Sequence, residues 1–88
     1  MANINFSEDA FEEFINWGKE NKKQQKKIKD LVKESMRTPF SGKGSPEPLK
    51  YDKEKRWSRR INDKDRLVYK FENDTLIIYQ CKGHYDDK

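Results

Sequence analysis

Eighty-eight residues suffice for one domain, residues 1–88, and no more. With 32% hydrophobic and 41% charged residues, the core must be small and built mostly from aromatics, so marginal stability is expected. The single Cys81 excludes an internal disulfide, and no Cys/His cluster has metal-ligand spacing. No run reaches transmembrane length and no basic-plus-apolar leader is present, so a cytoplasmic protein with no membrane partner is expected.

The formal net charge of +4 hides an asymmetry. Residues 1–18 carry four acids and no base, residues 19–37 eight bases against three acids, and residues 42–70 ten bases against five. A concentrated basic region on a small domain favours a polyanionic partner, with nucleic acid the leading candidate. A lysine-rich solvated helix face is the plainer reading of residues 22–36 taken alone.

In chain order, Ile4 and Phe6 predict a short strand. Ser7 is a good helix N-cap, and Glu8 and Asp9 suit the positive end of a helix. Phe6 and Phe11 have the spacing of a hydrophobic staple. Ala10, Phe11, Phe14, Ile15 and Gly18 fit one face of a helix ending near residues 18–20. After a polar break at Asn21, a second helix runs to about Met36 on the stripe Ile28, Leu31, Val32, Met36, and Thr38-Pro39 stops it. The short link suggests an antiparallel helical hairpin. Residues 39–50 are rich in glycine and proline and read as an ordered loop without regular structure. Its glycines do not form a phosphate-binding P-loop. Pro46 and Pro48 bracket Glu47 and hold one carboxylate in a restrained backbone.

The stretch Trp57–Tyr69 predicts two strands around a polar turn. If Trp57 and Ile61 join Leu67 and Tyr69 in the core, an odd-numbered loop is required, most simply Asn62-Asp63-Lys64. That register sets Arg60 opposite Arg66 on the other face, where like charges repel unless something anionic lies between them. Asn73-Asp74 forms a further turn and Thr75–Lys82 a third long strand, with Ile77, Tyr79 and Cys81 alternating against Leu76, Ile78, Gln80 and Lys82. The element order β-α-α-β-β-β predicts an α+β fold, with an N-terminal strand and two-helix hairpin packed on a twisted, mainly antiparallel sheet whose other face is polar and basic.

By alternation the sole histidine, His84, falls on the side of Gln80 and Lys82, in the same sheet as Arg60 and Arg66. A glutamate and a histidine flanking arginines can make a metal-free ribonuclease site. RNA supplies its own 2′-hydroxyl nucleophile, so a base, an acid and cations on the phosphorane-like charge suffice. The basic neighbourhood favours ionised Glu47 and disfavours protonated His84. The residues alone therefore leave open which is base and which is acid. A lone histidine near a chain end is more often a surface residue, and Arg60 and Arg66 equally suit phosphate anchors in a domain that only binds.

The motifs Arg37-Thr38-Pro39-Phe40, Gly42-Lys43-Gly44, Pro46-Glu47-Pro48-Leu49-Lys50, Trp57-Ser58-Arg59-Arg60-Ile61, Arg66-Leu67-Val68-Tyr69 and His84-Tyr85 span nearly the whole chain. Together they closely resemble the YoeB/Txe toxins of the RelE superfamily. The resemblance implies a RelE or microbial-ribonuclease-like fold and a toxin that cuts mRNA in the ribosomal A site without a cofactor. It implies that Glu47 is the general base, His84 the general acid and Arg66 the stabiliser of the transition state. Lys50 and Arg60 would bind phosphate, and Tyr85 would help position the substrate. It further implies a YefM-type antitoxin whose acidic C-terminal segment covers the site, and operator DNA bound mainly through that antitoxin. A homodimer is compatible with the sequence. Two departures from the pattern stand out: a tail, Asp86-Asp87-Lys88, after the tyrosine, and Asp65 where relatives commonly carry histidine. That aspartate is placed to pair with a hairpin base and limit the reach of Arg66. The competing expectations are a non-catalytic RNA- or ribosome-binding regulator and, more distantly, a DNA-binding regulator. Glu47 discriminates among them, because a carboxylate in a phosphate patch hinders binding and helps only by moving a proton.

Overall fold

The computed structural model describes residues 3–83. Strand β1 (Asn3–Phe6) leads into helices α1 (Glu8–Glu20) and α2 (Lys22–Arg37), followed by strands β2 (Glu47–Pro48), β3 (Trp57–Arg60), β4 (Arg66–Glu72) and β5 (Thr75–Gln80). The sheet order is β1-β5-β4-β3-β2. Only β1 pairs in parallel, with β5, and the other neighbours are antiparallel. The α+β architecture expected from the sequence is present as a mixed sheet.

The helix ends follow from their caps. Ser7 Oγ accepts from the Ala10 N–H at 3.1 Å, filling one of the orphan donors of a helix start. Asn21 ends α1 and caps α2, its Oδ1 accepting from Gln24 N. The Gln25 side-chain amide donates to the Phe14 carbonyl, tying the start of α2 back onto α1. In α2 the expected stripe holds, with Ile28, Leu31 and Val32 buried and Met36 packed against the core. In α1 it is rotated. Ala10 and Trp17 are buried, whereas Phe11 is 53% and Ile15 41% exposed. Phe6 packs on Phe14 at 5.7 Å between ring centroids, so the expected Phe6–Phe11 staple is replaced by a pair one turn later. The reason is polar as well as apolar. Trp17 turns inward because its Nε1–H donates to the Cys81 carbonyl at 2.9 Å.

The helices and the sheet share one core containing Ile28, Leu31, Ile61, Leu67, Tyr69, Leu76, Ile78 and Cys81. Residues alternating with these strand positions therefore face away from the helices. The β3–β4 register is the one expected: Trp57 opposes Tyr69, and Arg60 opposes Arg66. Ile61 N donates to Asp65 O, closing the turn over residues 62–64. Asn73 and Asp74 both have positive φ, 52° and 57°, which builds the tight β4–β5 turn. Two expectations fail. The loop over 39–50 contains the short strand β2, tolerated at Pro48 because an edge strand need not donate from every residue. Strand β5 ends at Gln80, and an irregularity between Val68 and Tyr69 pairs Val68 with Gln80 but Tyr69 with Ile78. That bulge breaks simple alternation and returns Cys81, not Gln80, to the core.

Candidate functional site

On the sheet face turned away from the helices, cross-strand pairing makes two adjoining rows. Glu47 opposes Ser58, Ser58 opposes Val68, and Val68 opposes Gln80. Two residues along β3 and β4, Arg60 opposes Arg66. Directly opposed residues share a side of the sheet. Glu47 therefore lies on the face of both arginines. Strand spacing and rise put the Cα atoms of Glu47 and Arg66 about 12 Å apart, a span that a glutamate and an arginine can close around a phosphate.

Each member is held differently. Glu47 is exposed on β2, and backbone bonds from Leu49 N to Arg56 O continue that edge. The Arg60 backbone N–H donates to Gly44 O at 2.7 Å while its side chain is exposed. Arg66 is partly buried, and its Nη1 donates to Asn62 O at 2.6 Å and Asp65 O at 3.1 Å. One edge of that guanidinium is thus fixed to the turn. Its Nε and Nη2 have no hydrogen-bond partner among the described residues. Lys50 is exposed in the turn just after β2, on the same margin of the sheet.

His84, Tyr85 and the Asp86-Asp87-Lys88 tail lie outside the described residues. The alternation used to assign His84 a side is interrupted by the bulge. A firmer constraint replaces it at Gly83. Arg66 N donates to Gly83 O at 3.0 Å, and Gly83 N donates to Asp65 Oδ1 at 2.7 Å. The chain position immediately before His84 is therefore bonded to the backbone of Arg66. Asp65, only 3% exposed, spends its other oxygen on Asn62 Nδ2. Its observed bonds thus tie the turn to the chain end, in place of the pairing with a hairpin base expected from sequence. Glu13 Oε1 accepts from Cys81 N at 2.8 Å, adding a second clamp beside that of Trp17.

The clamps from Glu13 and Trp17 onto Cys81, and the role of Arg59, were not expected from the sequence. The Arg59 side chain is fully buried on the helix side of β3. It donates to the carbonyls of Thr38, Ser41 and Lys43 and, through Nε, to Tyr69 Oη. Tyr69 in turn donates to Pro39 O at 2.6 Å, and burial pushes its phenol pKa up. Strand alternation sets Arg59 on the side of Trp57 and Ile61, a usable signal of a buried cation.

Two helices packed on one face of a five-stranded mixed sheet form the fold of YoeB- and RelE-like toxins. Residues 6–85 match the family described as YoeB-like toxin of bacterial type II toxin-antitoxin system. The chain belongs to that family. It is 45% identical over 80 residues to Toxin YoeB of Escherichia coli strain K12, covering 91% of this chain and 95% of that protein. The YoeB dimer from Staphylococcus aureus superposes with a TM-score of 0.89 at 41% identity, covering 96% of this chain and 98% of that one. The toxin in a heterotetrameric YoeB-YefM toxin-antitoxin complex from the same species gives 0.85 at 40% identity, covering 97% and 99%. A Helicobacter pylori toxin at 16% identity has the same fold, with a TM-score of 0.80.

Proposed function

We propose that this toxin is a ribosome-dependent endoribonuclease that cleaves mRNA in the A site by general acid–base catalysis. The observation that carries the reading is the placement of Glu47 on the same sheet face as the opposed Arg60 and Arg66. The arginines attract a phosphodiester. The carboxylate opposes such attraction, and its use beside the reacting phosphate is to take up the 2′-hydroxyl proton.

In the reaction, Glu47 removes the proton of the 2′-hydroxyl, whose oxygen attacks the adjacent phosphorus. The bond to the 5′-oxygen breaks as His84 protonates that leaving oxygen. Arg66, with Nε and Nη2 facing no other described partner, stabilises the charge on the equatorial oxygens. Arg60 and Lys50 hold flanking phosphate, and Tyr85 positions the substrate. The acid and base are side chains and the nucleophile is the RNA's own, so the step calls for no cofactor. The antitoxin would be of the YefM type, as in the Staphylococcus aureus complex, and a homodimer is supported by the dimeric relative. Operator DNA would be reached through the antitoxin, and the site of action is the cytoplasm.

End-group mapping of an mRNA on stalled ribosomes tests this. Transesterification leaves a 2′,3′-cyclic phosphate and a 5′-hydroxyl at the A-site codon. Ends bearing a 3′-hydroxyl and a 5′-phosphate would exclude the mechanism, and an intact message would exclude the activity.

A further inference from the structure

A second basic feature lies around the edge of β3 from the candidate site. A cavity of about 380 Å³ is lined by Lys27, Asp30 and Leu31 of α2, by the turn Lys43–Ser45, and by Arg60. Leu31 is a core residue, so the cavity has an apolar floor with charges around it. Lys27, Asp30, Lys43 and Arg60 are all exposed, and their charged groups make no ion pair among the described residues.

The wall formed by the turn is built, not incidental. The buried Arg59 guanidinium holds the carbonyls of Ser41 and Lys43. Gly44, at φ 83°, sits where a Cβ would come within 3.1 Å of Arg59 Cβ and of the Arg60 carbonyl and 3.2 Å of Leu31 Cδ2. A side chain there would be strained by the positive φ and would need β3 or Leu31 to give by a few tenths of an ångström. The same Gly44 carbonyl accepts from Arg60 N, so the turn and Arg60 move as one unit. The backbone of Lys43 is thereby held at the cavity that Lys27 also lines.

Three cations around one opening attract a phosphodiester. A bare phosphate site would exclude a carboxylate, which adds repulsion and no donor. Asp30 has a use if the occupant brings a hydroxyl beside its phosphate, as a ribonucleotide does. We propose that this cavity is a ribonucleotide subsite in which Lys27, Lys43 and Arg60 hold a backbone phosphate and Asp30 accepts the ribose 2′-hydroxyl. It rests on the ribonuclease reading for the identity of the polyanion. Arg60 joins the two places: its backbone N–H bonds to the turn that walls the cavity, and its side chain, on the face of Arg66, stands at the cavity rim, so the strand would run over the edge of β3 from one to the other.

The test uses full-length protein carrying Glu47→Gln, which keeps RNA intact during binding measurements. Affinity for a single-stranded RNA oligonucleotide and for ribosomes without mRNA is measured against salt, with and without Lys27→Gln plus Lys43→Gln. The double substitution is expected to weaken binding about tenfold at low salt and to reduce the slope of log affinity against log salt by about 0.7. Loss on the oligonucleotide identifies the cleaved strand as occupant, and loss on ribosomes alone identifies ribosomal RNA. Unchanged affinity and slope on both overturn the subsite. Asp30→Asn is expected to reduce the preference for RNA over its 2′-deoxy counterpart about fivefold; an unchanged preference removes Asp30 from it. Cleavage by the protein with Glu47 intact is read separately, so loss of the ribonuclease reading and loss of the subsite are distinguishable.

Discussion

Arg60 lies directly opposite Arg66 in the antiparallel β3–β4 pair, and both sit on the face that carries Glu47. Opposed like charges cost stability in a bare sheet. An anion between them converts the cost into binding energy. Arg60→Gln is therefore expected to raise stability at low ionic strength by about 0.5 kcal/mol, an advantage that salt screens away. Millimolar phosphate should raise the melting temperature of the unaltered protein more than that of the variant. Equal shifts would mean that the pair is not an anion site.

Arg59 predicts the opposite behaviour. Its guanidinium is buried and donates to three loop carbonyls and to Tyr69. Arg59→Met would leave those acceptors unpaired, at a cost of about 3–5 kcal/mol. Urea denaturation measures this directly. A loss under about 1 kcal/mol would mean that the loop holds itself without Arg59.

The acid limb of stability should depend on Asp52. Hydrogen bonds from the Arg56 side chain and backbone hold the Asp52 carboxyl below the usual carboxylate range. A lowered folded pKa stabilises the protein above the unfolded pKa, about 3.9, and that contribution disappears as pH falls through the folded value. Asp52→Asn should lower stability at neutral pH and flatten the decline below about pH 4. Melting curves from pH 7 to 2 check it. Parallel curves for the two proteins would contradict the assignment.

Cys81 should be chemically silent. It is fully buried against Ala10, and burial together with the nearby Glu13 and Asp65 carboxylates pushes its thiol pKa up to about 12. A thiol reagent at pH 8 should label it only after unfolding, since the thiolate is the nucleophile. Rapid labelling of folded protein would show that the segment from Cys81 to Gly83 opens readily.

Much of this was legible in the sequence where local pattern and register suffice. The odd-numbered turn after Ile61 determined which side Arg60 and Arg66 share, and Ser7, Asn21 and Pro39 marked the helix ends. The bulge opposite Val68 was not legible, because alternation has no term for an extra residue, and it moved Cys81 to the core. Trp17 was overlooked for the same kind of reason. Its inward turn depends on a carbonyl sixty-four residues away, which no helical periodicity contains. Strand alternation sets Arg59 on the core side, yet its partners belong to an irregular loop whose path only tertiary packing sets. The restraint on Glu47 that two prolines suggested takes the form of a short edge strand, which explains how that carboxylate meets the arginine row.

The central claim is that Glu47 moves a proton on a phosphodiester gripped by Arg66. Single-turnover cleavage of mRNA on programmed ribosomes tests it most directly, comparing the unaltered protein with Glu47→Gln and Arg66→Ala. The account predicts that each substitution slows cleavage by about 10²–10³ or more while ribosome affinity changes little. Normal cleavage by either variant, or none by the unaltered protein, would contradict it.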